Sequence, residues 1–544
     1  MRKVEKMQTK VSTPIIIFLV FAFIIFIPLH AQAIDYYVDQ NHPSANDINP
    51  GTEGQPWKTI TRANQTLVSG DTVYIKAGTY TSYIAPSNSG TAVSRITYRS
   101  YGSDVVTISG TSYAVYLNGK SYITVDGIRA KNCQRFLYIV TGTNNIISNN
   151  IFDLQSPIGT WSTSYITMNS QYNWIHHNQF SNCGSANNAG VDDGACLEIG
   201  RESTSDATQY NLIENNTLFH GGHHVAALMS QYNTFRNNYI HNEAWTGIYG
   251  NRSIHTISPA SSPGRNIIEG NKLGYSAIAV DQTDPPSNFP MVSQNNIFRY
   301  NRIYHSAGPG LALAGYSGYS NAANNRIYNN TFFNNGLVQR TAVLVENWEG
   351  QTPVGNVFKN NLYYSHANGV YSGPSYLTQS YANEYNGDVR GNPLFVNAST
   401  TPPAGKMDSS VPNLDLQAGS PAINQGGPLT TVAIADTGSG TSLVVSDARY
   451  FQDGTYAPAG TMSADWIAVG TVSNVVHISS INYATNTITL ANSISRSSGQ
   501  SVWLYKKSDG ARVLYGTAPD AGAYEVPQSS SPSAPLPPTI LRII

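Results

Sequence analysis

Residues 145–152 read NIISNNIF, and the same wording returns along the chain. It is NWIHHNQF at 173–180, NLIENNTL at 211–218, NTFRNNYI at 233–240 and NIIEGNKL at 266–273. Further copies are NIFRYNRI at 296–303, NRIYNNTF at 325–332 and NVFKNNLY at 356–363, and a degenerate one, SYITVDGI, begins at Ser121 with Asp126 in the second polar position. The shared pattern is Asn, any residue, apolar, two of any kind, Asn, any residue, apolar. Successive copies start 22 to 38 residues apart, too irregular for a solenoid of helices, whose units need a fixed length. The variation therefore falls in loops.

Each unit holds two short apolar pairs at period two, separated by a polar corner and preceded by a third strand-like piece such as SYITMNS, HVAALMS or GPGLALAG. Three short strands per repeat predict a parallel β-helix. The column before the second Asn reads Asn149, His177, Asn215, Asn237, Gly270, Tyr300, Asn329, Asn360, the composition a left-handed backbone position selects. The second Asn is Asn in all eight full copies. Stacked at about 4.8 Å, such amides can bond along an internal ladder.

On these motifs the chain resembles the secreted right-handed parallel β-helix superfamily, the pectate-lyase-like proteins, over roughly residues 35–425. The opening DYYVDQNHPSANDINPGTEGQPWKTITRANQTLVSGDTVYIKAGTY is similar to that family's first segment, with Ile60, Ala63 and Leu67 at helical spacing for a capping helix. The resemblance implies an all-β fold, a right-handed parallel β-helix with three strands per coil and about ten or more coils. It is specific for fold and not for chemistry, because this architecture carries lyases, hydrolases, epimerases and non-catalytic adhesins.

The expected organisation is a secretory signal at 1–33, the β-helix at 34–428, a small all-β module at 429–512, a closing segment at 513–527 and a Pro/Ser-rich disordered tail at 528–544. The signal rests on Arg2, Lys3, Lys6 and Lys10 ahead of PIIIFLVFAFIIFIP and on Ala31-Gln32-Ala33. No other stretch reaches membrane-spanning length. The module rests on the separation of QAGSPAINQGG (417–427) from GTAPDAGAYEV (516–526), two halves that usually lie together in such proteins. Trp466 and Trp503 inside it read as core aromatics rather than sugar contacts. Charged residues make up 12% of the 544 and the net charge is −1, which excludes the basic footprint of a nucleic-acid binder. The partner expected is extracellular polysaccharide, met by a monomer. Cys183 and Cys196 either pair, leaving Cys133, or all three stay reduced.

Seven of the twelve histidines fall between 176 and 255. The repeat register assigns His176 to a column with Glu214, Arg236, Glu269, Arg299 and Lys359, read as a solvated corner. His177 takes the left-handed column, and His220 and His305 an internal ladder. The remaining candidates enter three consecutive coils through GVDDGACLEIG, FHGGHHVAALMS and HNEAWTGIYGNRS. Aligning Leu197/Ile199, Ala226/Leu228 and Thr246/Ile248 puts Gly194, His223 and Glu243 at one level, with Asp193 and His224 beside it, Glu198 outward and Arg252 after the third strand.

A lyase needs a base, here His223, His224 or Arg252, and a cation such as Ca²⁺, for which Asp192, Asp193 and Glu198 are hard oxygen ligands. An inverting hydrolase would use Asp192/Asp193 with Glu198 or Glu243. The Asp pair followed by Gly222-His223 loosely resembles polygalacturonases, whose Asn-Thr-Asp and Arg-x-Lys elements are absent here. Trp245 and Tyr249 are placed to stack on sugar faces. A third reading is glycan binding without catalysis, and a fourth makes the cluster two polar turns.

Overall fold

A computed structural model of the protein describes residues 33–156, 162–184, 194–200, 206–222, 224–241, 250–256, 258–259, 264–282, 291–316, 320–337, 341–348, 353–373, 379–398 and 411–527. The apolar leader up to residue 32 and the tail from 528 lie outside them. The chain opens with a strand, Asp35–Val38, followed by the helix Ile60–Thr66, which Thr59 caps by accepting from the Arg62 amide. That helix buries Ile60, Ala63 and Leu67 over the first coil, as the spacing predicts.

From there three stacks of short parallel strands wind along the chain. The first stack runs from Asp35–Val38 to Ser380–Ala382, the second from Gly78–Tyr80 to Tyr385–Asn386, and the third takes one strand per coil from Tyr113–Asn118 onward. Every copy of the repeat contributes one strand to the first stack and one to the second. Ile147 pairs with Ile175, Ile213, Phe235, Ile268, Phe298, Ile327 and Phe358 in turn, all buried in one core. This is a parallel β-helix.

The polar corner of the repeat is fixed by backbone chemistry. The column from Asn149 to Asn360 has φ between 50° and 69° throughout, so Asn and Gly sit where left-handed backbone is required. At Gly270 an added Cβ would meet the Asn237 side-chain oxygen at 2.3 Å. The second Asn forms the expected ladder: Asn150 donates its amide N–H and its Nδ2 to Asn178 Oδ1, Asn178 to Asn216, and so on through Asn238, Asn271, Asn301 and Asn330 to Asn361, at 2.9–3.1 Å. The first Asn builds a parallel ladder from Asn145 to Asn356. Buried backbone donors at each turn are thereby satisfied by the coil above.

The two ladders end differently. The first stops at Gln379, whose Oε1 accepts from the Asn356 amide. The second stops at Glu384, whose Oε1 accepts from Asn361 and whose Oε2 accepts from the Tyr371 hydroxyl. Burial pushes the Glu384 carboxyl up to about 7, against the hydrogen bonds that favour its charged form.

The charged column of the repeat is the main departure from expectation. Glu214, Arg236, Glu269 and Arg299 are buried, not solvated, because the module covers them. Strands Gly438–Val444, Trp466–Val469, Val475–Asn482, Thr487–Arg496 and Ser501–Lys506 form an antiparallel sheet. The core of this sheet merges with Leu212, Ile267, Ile297, Tyr300 and Tyr328 of the first stack. Arg299, fully enclosed, takes both oxygens of Asp465 at 2.7 and 2.9 Å and Glu269 Oε2 at 2.5 Å. Arg236 holds Glu214 Oε2 and Ser508 Oγ, and Arg326 holds Asp447. His176, at the uncovered end of the column, is half-buried against the Trp174 ring, and burial lowers it to about 4. Trp466 and Trp503 are half-buried on the module and outside its core cluster. The closing halves meet through Asn424 N to Asp520 Oδ1 and Ala521 N to Ala422 O.

Three outcomes follow from these contacts. A carboxyl with a raised folded-state pKa contributes stability below its unfolded pKa and loses it as pH rises through the folded value, here between about 4.5 and 7. Glu384→Gln is therefore expected to raise the unfolding free energy in chemical denaturation at pH 8 by on the order of 1–3 kcal/mol and to change it little at pH 4.5. Asp465→Ala leaves Arg299 enclosed with one counter-charge and is expected to cost about 3–5 kcal/mol in chemical denaturation. Arg99→Ala, which breaks the exposed pair with Asp126, costs well under about 1 kcal/mol.

Candidate functional site

Strands of the third stack alternate, so that apolar-x-apolar triplets turn their ends into the core and their middle residue outward. Leu197 and Ile199 point inward at 0% exposure, and Glu198 between them faces the outer surface. Pairing carries this column along the helix: Tyr116, Tyr138, Tyr165, Glu198, Ala227, His255 and Asp281 are successive partners. An aromatic row thus leads into an acid, and then into a His and an Asp by backbone register.

Glu198 is the most connected group of this face. Its Oε1 accepts from Ser162 Oγ and stands 3.6 Å from His224 Nε2, both side chains being largely enclosed. That separation is an ion-pair distance rather than a hydrogen bond. Ser162 in turn accepts from the Ala195 amide at 3.0 Å, which ties the neighbouring coil to the one bearing Glu198. Tyr165, on the preceding strand, is raised to about 12, first by burial and then by the Glu198 charge. Its phenol therefore keeps its proton at neutral pH. On the following strand, Arg252 is the register partner of His224.

This register corrects the sequence alignment. Ala226 pairs with Ile254 and Leu228 with Thr256, eight residues beyond the Thr246 and Ile248 expected. Arg252 therefore lies inside the strand Gly250–Thr256 and level with His224, not after it. The level assigned to Glu243 belongs instead to the start of that strand. Loop length between coils is unconstrained, so two apolar-x-apolar triplets in one segment compete, and only pairing decides between them. Asp192, Asp193, His223, Glu243, Trp245 and Tyr249 lie outside the described residues. Ser162, Tyr165, His255 and Asp281 were absent from the sequence-derived set. The triplets Val115-Tyr116-Leu117, Leu137-Tyr138-Ile139, Ser164-Tyr165-Ile166 and Leu197-Glu198-Ile199 carry the signal that finds the outward column.

A disulfide joins Cys183 to Cys196, and Cys133 is a buried thiol. The bridge closes the segment whose sequence carries Asp192-Asp193, and Cys196 adjoins the strand of Glu198. Among the described residues no three His, Cys, Asp or Glu side chains gather as a metal ligand set. Glu198, the described member of the expected Ca²⁺ ligands, has Oε1 engaged with Ser162 and His224. His220 and His305 are buried at left-handed positions, bonded to Asn182 and Asn334.

The family profile described as Right handed beta helix region matches residues 104–289 and 193–380, together just over half of the chain. An uncharacterized protein of Bacillus subtilis, YwoF, is 39% identical over 72 residues, a stretch that is 13% of this chain and 15% of that protein. The chain thus matches far less than two thirds of that relative's length. Among solved structures, a pectate lyase aligns over 74% of this chain and 94% of its own at 13% identity and a TM-score of 0.48. A PL6 family polysaccharide lyase from Pseudopedobacter saltans aligns over 65% and 95% at 14% identity and a TM-score of 0.41.

Proposed function

The chain belongs to the right-handed β-helix family, and on that premise we propose that it is a secreted, carbohydrate-active polysaccharide lyase that acts as a monomer on an acidic extracellular glycan. The observation that carries this reading is the pairing of three consecutive strands that brings Glu198 Oε1 to 3.6 Å from His224 Nε2 and sets Arg252 level with His224 in register. β-Elimination from a uronate needs a base for the proton α to the carboxyl and a cation for the carboxylate itself. His224 supplies the base, and the planar carboxylate suits a guanidinium, the role given to Arg252 on its residue type and its register with His224. The C5 proton passes to His224, the electron pair forms the C4–C5 double bond, and the C4–oxygen bond breaks. Glu198 stabilises the imidazolium that results. The departing oxygen takes its proton from a neighbouring donor, a role the protonated Tyr165 phenol fits.

Calcium belongs to the proposal only through donor chemistry. Glu198, Asp192 and Asp193 are of the right type to hold it, and the ion would supply charge neutralisation at the carboxylate. No step is derived through it. The hydrolytic alternative needs carboxyls about 6.5–9.5 Å apart. The pair for it would be Asp192 or Asp193 with Glu198 or Glu243. Secretion is supported by the apolar leader and by the Cys183–Cys196 bridge, a feature of oxidising compartments.

Incubation with pectate, alginate and glycosaminoglycans, with Ca²⁺ and with EDTA, is expected to release product absorbing as a 4,5-unsaturated uronate. His224→Ala and Arg252→Ala are each expected to lower kcat by about two to four orders of magnitude without altering the melting curve. No such absorbance on any polymer overturns the lyase reading. Reducing ends without absorbance would point to hydrolysis, and retention without turnover to a binding protein.

A further inference from the structure

The outward column does not begin at Glu198. On the three coils before it stand Tyr116, Tyr138 and Tyr165, with Tyr113 beside them, all half-buried. Ring centroids are 4.7 Å apart for Tyr113–Tyr116, 5.8 Å for Tyr113–Tyr138 and 5.6 Å for Tyr138–Tyr165. Arg135 lies over this shelf, with its guanidinium carbon 5.2 Å from the Tyr138 centroid and 5.1 Å from that of Tyr165. Arg236, Arg299, Arg302, Arg326, Arg449 and Arg496 each meet a carboxylate. Among the described residues the Arg135 guanidinium meets only rings.

We propose that Tyr113, Tyr116, Tyr138 and Arg135 form a binding subsite for a carboxylated glycan, extending the catalytic face toward the start of the β-helix. Tyrosines that served the fold alone would turn inward, as Tyr98 and Tyr363 do at 0% exposure. These instead expose part of their rings, and Tyr116 and Tyr138 stand one coil apart, a spacing of about 4.8 Å on the scale of one sugar in an extended chain. Ring faces offer stacking to the apolar faces of pyranoses. The guanidinium, held flat by two rings, keeps its donor fork for a carboxylate. Charge complementarity and unbroken continuity with Glu198 thus point to one occupant: the stretch of polyuronate next to the bond being cleaved. The inference rests on the proposed lyase reading for the identity of the glycan and not for the existence of the shelf.

Affinity gel electrophoresis at low salt tests it, with polygalacturonate or alginate cast in the gel and with dextran and dextran sulfate as comparison gels. The wild-type chain is expected to be retarded by at least one polyuronate and not by dextran. Arg135→Gln and Tyr138→Ala should each weaken retardation at least tenfold, while Tyr138→Phe, which keeps the ring, should not. Melting curves confirm that the variants compared are folded, and Tyr138→Phe and Arg135→Lys serve if the larger changes unfold the chain: Arg135→Lys, which loses the fork, should still weaken binding. Equal retardation of folded Arg135 variants and wild type overturns the subsite, as does absence of retardation by every polyuronate. Retardation by dextran sulfate alone overturns the carboxylate assignment. Arg135-dependent binding to a polyuronate that is never cleaved would sink the lyase reading and leave the subsite standing.

Discussion

The structure depends on one constraint: a chain that turns a corner inside its own core at every coil must give each buried backbone N–H an acceptor. Two Asn ladders meet it. Because each amide both accepts from one neighbouring coil and donates to the other, every corner fixes the height and phase of the next. Strand register, and with it the outward column that carries Tyr165, Glu198 and Ala227, is a consequence of this coupling. A residue's place on the outer face is set by the strand pairing of its coil, while the loops between coils vary in length without disturbing it.

The same repeat presents a column of charges to one side, and the module turns that column into an interface. Arg236 and Arg299 are long cations whose burial is tolerable only because Glu214, Glu269, Asp465 and Ser508 satisfy them together. Apolar contacts with Tyr300 and Tyr328 fill the space between. Tyr300 occupies a left-handed position that disfavours a bulky residue, and its ring packs in the cluster shared with the module. Module and β-helix therefore form one hydrophobic and ionic unit.

How much of this was legible in the sequence follows from the range of each interaction. The Asn columns, the left-handed turns and the capping helix are decided within a few residues, and each is written in the residues that form it. The burial of Glu269 and Arg299 is decided by residues 239 and 166 positions later. A charged side chain reports its chemistry and not what lies over it, so a solvated corner was the natural reading. The site fared similarly. The outward position of Glu198 follows from alternation alone, whereas the level of Arg252 requires knowing which of two apolar triplets pairs with Ala226. Its neighbour Tyr165 was hidden by the abundance of tyrosine, with 35 in the chain, until alignment gave it a column.

A stack of similar coils has no intrinsic length, and its last coil offers open edges to any other β-structure, including a second copy. Here growth is stopped chemically as well as sterically. Each Asn of the second ladder passes a hydrogen bond onward through its Nδ2, but an ionised Glu384 has no proton to pass. The strand Asn413–Leu416 and the segment around Asp520 then lie over the final turns. The carboxylate acts as a chain terminator in a polymer of hydrogen bonds, so the residue that ends the ladder is also the one whose burial makes the final coil less stable as pH rises.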